Sequence, residues 1–202
     1  PDPGSLLLAS ASPRRRDLLA HAGIAFEIEV AEFDEGRLRH LPPLSQARRA
    51  AHGKASEVAA RYPDRWVLGC DTVVVLDGEA LGKPVDGVEA SRMLKRLSGR
   101  EHGVISAVTL LGPGGAEGHA YGRSVVAIGR LSHEEIGAYV ASGEPLDKAG
   151  GYAIQGEAGE FAALVRGSLD TVIGLPLHAV RRLGRRLGCP PLRASGWEPV
   201  LC

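Results

Sequence analysis

Residues 8–19 read LASASPRRRDLL. An apolar strand, Leu6–Ala9, runs into a serine-rich turn and then a helix, with Ser12 placed as N-cap and Pro13 as the first helical residue. Arg14, Arg15 and Arg16 follow, where the helix end is already partly positive and each cation is unfavourable by roughly 0.3–1 kcal/mol. A strand end, a serine turn and free helix N–H groups together form an anion site. A polyphosphate bound there would turn the misplaced cations into ligands. Arg14 and Arg15 fit that role, and Arg16 reads as a solvated surface residue.

Other residues invite similar questions. Asp71 stands in GCDTVVVL, an otherwise apolar run, and a buried aspartate needs a partner, a metal or backbone donors in a bulge. Lys83 lies between Gly82 and Pro84, and the proline keeps it extended and aimed. Lys54 sits beside Gly53 on an alanine-rich helix, and its residue type fits a solvated lysine as well as a ligand. Glu32, Asp34 and Glu35 form an acidic segment that suits either a divalent cation shared with Asp71 or plain solvation. Gln155, in GGYAIQG, carries a donor and an acceptor that suit a base edge or a turn.

Composition removes several classes. Lys plus Arg and Asp plus Glu number 24 each in 202 residues, which argues against a general nucleic-acid binder. Three cysteines, Cys70, Cys189 and Cys202, without a C-x-x-C pair fit a reducing compartment and no thiolate zinc site. No apolar run nears the ~20 residues of a membrane span, and Pro1–Ser5 shows no leader pattern. The expectation is a cytoplasmic protein with no nucleic-acid or membrane partner. GEALGK, residues 78–83, is one residue short of a phosphate-binding P-loop and has Pro84 where Ser or Thr is required.

The elements that must position these residues alternate along the chain. Strands are expected at 6–9, 26–30, 66–76, 79–81, 102–111, 121–130, 152–154 and 161–165. Helices are expected at 14–22, 44–61, 88–97, 133–142 and 175–187. Asp77-Gly78 signals a hairpin and Ser132 with Glu135 a capping box. Hairpins among crossovers imply an α/β fold with a mixed, twisted sheet flanked by helices. The glycines between 143 and 159 suit tight turns or backbone pressed against a ligand. Residues 188–202 read as a tail, ordered or frayed.

In this order the blocks LASASPRRRDLL, Glu35, Lys54-Ala55, GCDTVV, LGKPVD, MLKRLSGREH, GEPLDKAGGYAIQG and VIGLPL resemble the Maf family of nucleoside triphosphate pyrophosphatases. The resemblance spans residues 6 to about 187, within one domain of core 5–187. It implies a sheet with two lobes and a central cleft, as in inosine triphosphatase-like folds. It implies hydrolysis of a nucleoside triphosphate to the monophosphate and pyrophosphate with Mg²⁺ or Mn²⁺. Asp71 becomes the proton acceptor and, with Glu35, a metal ligand. Ser10, Arg14, Arg15, Lys54 and Lys83 become the triphosphate site. Arg14, Thr72 and Gln155 match the branch acting on dTTP and UTP. A 7-methyl-GTP or purine preference and a non-catalytic, division-linked nucleotide binder are the alternatives. Cys70, Ser106 and Ala153 depart from the usual Ala, Thr and Gly. A homodimer is the expected assembly.

Overall fold

The computed structural model describes residues 5–193. Seven strands form one mixed sheet: β1 (Leu6–Ala9), β2 (Phe26–Ile28), β3 (Trp66–Leu76), β4 (Glu79–Leu81), β5 (Glu101–Gly112), β6 (Ala116–Ile128) and β7 (Ala162–Arg166). Their order is β2-β1-β3-β5-β6-β7, with β4 hydrogen-bonded to the far end of β3. β1 runs parallel to β2 and β3, and the remaining pairs are antiparallel. Six helices flank the sheet: α1 (Pro13–His21), α2 (Pro43–Arg61), α3 (Gly87–Leu97), α4 (His133–Ala141), α5 (Leu169–Ile173) and α6 (Leu177–Leu187).

The period of two along the strands divides the core. Leu6 and Leu8 face α1 and α6 through Leu19, Val180 and Leu183. Leu7 and Ala9 point the other way, against Ala55 and Val58 of α2. The outer halves of β3, β5 and β6 build a second lobe, where Val74, Val104 and Val126 pack on Leu94 of α3 and Ile136 of α4. Between the lobes lies a cleft. The capping box at the start of α4 forms as expected, with Ser132 Oγ and Glu135 exchanging backbone hydrogen bonds.

Several boundaries differ from the sequence reading. β6 begins at Ala116 rather than 121, because its first half carries glycines instead of β-branched residues. A Cβ at Gly122 would lie 2.4 Å from Thr171 Oγ1, and one at Gly118 would meet α6, so the strand signal gives way to close packing. β2 stops at Ile28. Residues 152–154 are not a strand: a turn over Ala149–Gly151 leads into them, and Tyr152 is buried by its side chain rather than by sheet pairing. The helix expected over 175–187 forms as α6 from Leu177, and an unexpected short helix, α5, precedes it, with Gly174 (φ 128°) and Pro176 breaking the chain between the two. The start of the tail is ordered, with Leu192 fully buried and seated over Gly184. Residues 194–202 lie outside the described residues.

One buried histidine makes stability depend on pH. His102 on β5 meets Tyr152 edge-on, with Nε2 2.6 Å from its hydroxyl, and its buried Nδ1 has no partner. Burial pushes its pKa down to about 4 from an ordinary 6.5. Between those values the unfolded chain holds a proton that the folded chain lacks, so stability rises with pH there. The contribution is fully present above pH 6.5 and is lost as pH falls toward 4, with a slope of up to ~1.4 kcal/mol per pH unit. Urea unfolding from pH 7 to 4.5 is expected to show a shallower slope in His102→Phe than in the wild type. Equal slopes would contradict the buried neutral histidine.

Candidate active site

The site begins with α2 pressed onto β3. Gly69 allows the approach: a Cβ there would lie 2.2 Å from the carbonyl oxygen of Ala51 and 2.8 Å from the Ala55 methyl. Ala47, Ala51 and Ala55 keep the facing side of α2 small, and all three are fully buried. At this distance Lys54, itself buried, reaches the strand. Its ammonium lies 2.8 Å from Asp71 Oδ1 and 3.4 Å from the Cys70 carbonyl.

The same ammonium contacts Glu35 Oε1. Glu35 arrives on a short 3-10 turn capped by Asp34, whose carboxylate accepts from the Gly36 N–H at 2.9 Å. The loop is anchored by Phe33, whose ring occupies the space a Cβ on Gly53 would take. Asp34 is thus a cap, and the Glu32 N–H is tied to Glu57. Of the three acids in that segment, Glu35 alone reaches Lys54.

The two carboxylates titrate in opposite directions. Burial pushes the Asp71 pKa up, against the pull of Lys54, and the neighbouring Glu35 charge pushes it further up. Glu35 is more exposed. Burial raises its pKa too, but Lys54, Lys83 and Arg15 outweigh that effect and hold it below the usual carboxylate range.

The three arginines have three separate fates. Arg15 turns inward and is spent on the protein: Nε donates to the Gly174 carbonyl at 2.9 Å, Nη1 to Ser10 Oγ at 3.0 Å and Nη2 to Thr72 Oγ1 at 3.1 Å. Ser106 donates its only hydroxyl proton to the Thr171 carbonyl, so Thr72, 2.7 Å away, donates to Ser106. A directed chain Arg15–Thr72–Ser106 therefore ties α1 to β3, β5 and α5. Arg16 lies on the surface against Asp17. Arg14 stands half-buried at the cleft, where burial lowers its pKa while Asp147 and Glu144 pull it back up. Ser12 occupies the N-cap of α1, but its side chain makes no capping bond.

These groups line one cavity of about 620 Å³ between the lobes. Ser10, Arg14, Lys54, Asp71, Lys83 and Gln155 all face it, as do Arg15, Glu35 and Thr72. Nine of the residues read from the sequence are therefore brought to one place, whereas Arg16, Glu32 and Asp34 are not. Two groups there were not singled out. Glu144 accepts from the Tyr139 hydroxyl at 2.7 Å and the Glu157 N–H at 3.1 Å, clamping the loop that presents Gln155. Ser106 was noted only as a departure, although a hydroxyl within an apolar strand signals a buried hydrogen-bond chain. Among the described residues, no cluster of three or more His, Cys, Asp or Glu side chains is arranged to hold a metal.

Arg15→Lys should separate the inward arginine from its neighbours. A lysine cannot present three donors in a planar fork, so the variant is expected to lose about 1.5–3 kcal/mol in urea unfolding. Arg16→Ala should stay within ~0.5 kcal/mol of wild type. Equal effects would refute the assignment.

A dTTP/UTP pyrophosphatase of Moorella thermoacetica is 48% identical over 88% of this chain and 92% of its own. A dTTP/UTP pyrophosphatase of Anaeromyxobacter dehalogenans is 50% identical over 92% of this chain and 95% of its own. A solved dITP/XTP pyrophosphatase from Mycobacterium abscessus shares 19% identity over 63% of this chain and 75% of its own, with a TM-score of 0.38, too loose a likeness to argue from. Residues 5–187 match the Maf-like protein family, and the chain belongs to the Maf family.

Proposed function

We propose that this protein hydrolyses nucleoside triphosphates, with dTTP, UTP and modified pyrimidine nucleotides as substrates, to the monophosphate and pyrophosphate. The observation that carries the reading is the pair of carboxylates on one lysine, Asp71 and Glu35 on Lys54, at the floor of a cavity holding Arg14, Lys83 and Gln155. The names borne by relatives at 48% and 50% identity support it. A role in clearing unwanted nucleotides goes with that activity.

The reaction forms a bond from a water oxygen to the α-phosphorus and breaks the bridge to the β-phosphate. Pyrophosphate leaves with the bridging oxygen. Lys54 holds Asp71 through Oδ1, which leaves Oδ2 without a hydrogen bond among the described residues and available to the attacking water. A carboxylate whose pKa is raised by burial is the better proton acceptor of the two, so Asp71 takes the water proton. Arg14, Lys83 and the N–H groups of α1 face the phosphate oxygens. Ser10 and Thr72 are oriented by Arg15, which acts through them and not on the substrate. Gln155 makes no side-chain hydrogen bond among the described residues, so its amide is free to meet a base edge.

A divalent cation, Mg²⁺ or Mn²⁺, belongs to this reading. Asp71 and Glu35 are hard oxygen donors brought together on Lys54 and would hold such an ion. Such an ion would supply neutralisation of phosphate charge and a lowered pKa for water at the site. No helix of the described residues is long and apolar enough to cross a membrane. A cytoplasmic location and a homodimer complete the proposal.

Pyrophosphate release from dTTP, UTP, 7-methyl-GTP and ITP with Mn²⁺ tests it. The wild type is expected to favour dTTP and UTP, and Asp71→Asn to lose about 10²–10⁴-fold in kcat. A wild type that releases no pyrophosphate from any of them, or an Asp71→Asn variant as active as wild type, would overturn the enzyme reading. A 7-methyl-GTP or ITP preference would overturn the pyrimidine assignment.

A further inference from the structure

A second cavity, about 440 Å³, opens on the other side of the carboxylate pair. Glu35, Asp71, Thr72 and Lys83 line both cavities, so the two meet where the reaction is placed. Their walls differ in chemistry. In the first, Arg15 is committed to three protein acceptors, Lys54 to the two carboxylates and Lys148 to Asp147, while Arg14 forms no ion pair among the described residues. Gln155, Tyr152 and Ile154 make the rest of that wall suitable for a nucleoside.

The second cavity adds two more cations without an ion pair among the described residues, Arg39 and Arg92. Arg92 and Arg96 project from one face of α3, one turn apart, where like charges are mildly destabilising. Arg39 lies across from them on the Glu35 loop. Arg96 is paired with Glu79 at 2.9 Å, but Arg39 and Arg92 form no ion pair among the described residues. The one acid there that is not shared with the first cavity, Glu89, accepts from the Val85 N–H at 2.7 Å. Lys83 stands at the junction, and the Gly150 N–H holds the adjoining Gly82 carbonyl at 2.9 Å, which ties this corner to the loop across the cleft.

We infer that the second cavity receives the β- and γ-phosphates, with Arg39 and Arg92 as ligands of the departing pyrophosphate. The nucleoside and α-phosphate occupy the first cavity, and the bond that breaks lies between the two beside Asp71 and Glu35. This rests on the reading of the protein as a triphosphate hydrolase and divides its site into two halves. Arg39 and Arg92, which have no ion pair among the described residues, gain a counter-charge in the leaving group. Product would then leave by two doors, pyrophosphate through the α3 side and monophosphate through the Gln155 side.

Calorimetric titration of inorganic pyrophosphate and, separately, UMP, with Mg²⁺ present, tests the division. The proteins are wild type, Arg92→Gln, Arg39→Gln and Arg14→Gln. Arg92 and Arg39 are exposed, and circular dichroism checks that the variants fold. The expected result is about tenfold weaker pyrophosphate binding in Arg92→Gln and Arg39→Gln, with UMP affinity changed less than about twofold. Arg14→Gln should weaken UMP instead. Wild-type pyrophosphate affinity in Arg92→Gln and Arg39→Gln overturns the inference, as does loss of pyrophosphate binding in Arg14→Gln alone, which would put the whole phosphate tail in the first cavity. Turnover of dTTP by the wild type is scored separately. Without it the hydrolase reading falls, while Arg92-dependent pyrophosphate binding would still establish the diphosphate site.

Discussion

Asp71 and Glu35 are held beside each other by one cation, Lys54. Asp71 is almost wholly removed from water, and without a counter-charge it would give up its own charge by taking a proton. Glu35 beside it would repel it. One ammonium in contact with both keeps the pair together and leaves the second oxygen of Asp71 unbonded among the described residues. The energetic consequence is steep: removing one partner of a buried pair strands the other, at about 3–5 kcal/mol.

Much of the molecule serves that contact. α2 carries alanines on its sheet-facing side and β3 carries Gly69, so helix and strand approach closely enough for a lysine to bridge them. Phe33 lies over Gly53, which brings the Glu35 loop against the same helix. From the other face of the sheet, Arg15 organises Ser10, Thr72 and the Gly174 carbonyl, and Gly174 takes a backbone conformation that L side chains rarely adopt. The cleft is thus braced from both faces, and its outer wall is clamped by the Tyr139–Glu144 pair that steadies the Gln155 loop.

Much of the fold could be read along the chain. The apolar run of β3, the Asp77-Gly78 hairpin and the Ser132 capping box are local signals, and each appears where local chemistry places it. The misses share a cause. The first half of β6 and the break at Gly174 depend on glycines whose reason is a neighbour distant in sequence, such as Thr171 against Gly122. Tyr152 looks like strand because it is apolar and buried, but its burial comes from the second lobe and His102, not from sheet pairing.

The sequence by itself determined which residues were out of place: cations at a helix start, an aspartate in an apolar strand, a lysine pinned before a proline. Such misplacements have local energetic penalties, so they are visible without a fold. It could not determine their roles. Arg14, Arg15 and Arg16 are chemically identical and adjacent, yet one faces the cleft, one is consumed as an internal brace and one is solvated. The helical turn of about 100° per residue separates their directions. Packing across the sheet then settles which direction is interior. Likewise, only the tertiary structure could bring Glu35 to Asp71, because the contact runs through Lys54 on a third element. Ion pairing depends on distance in space, which sequence separation does not encode.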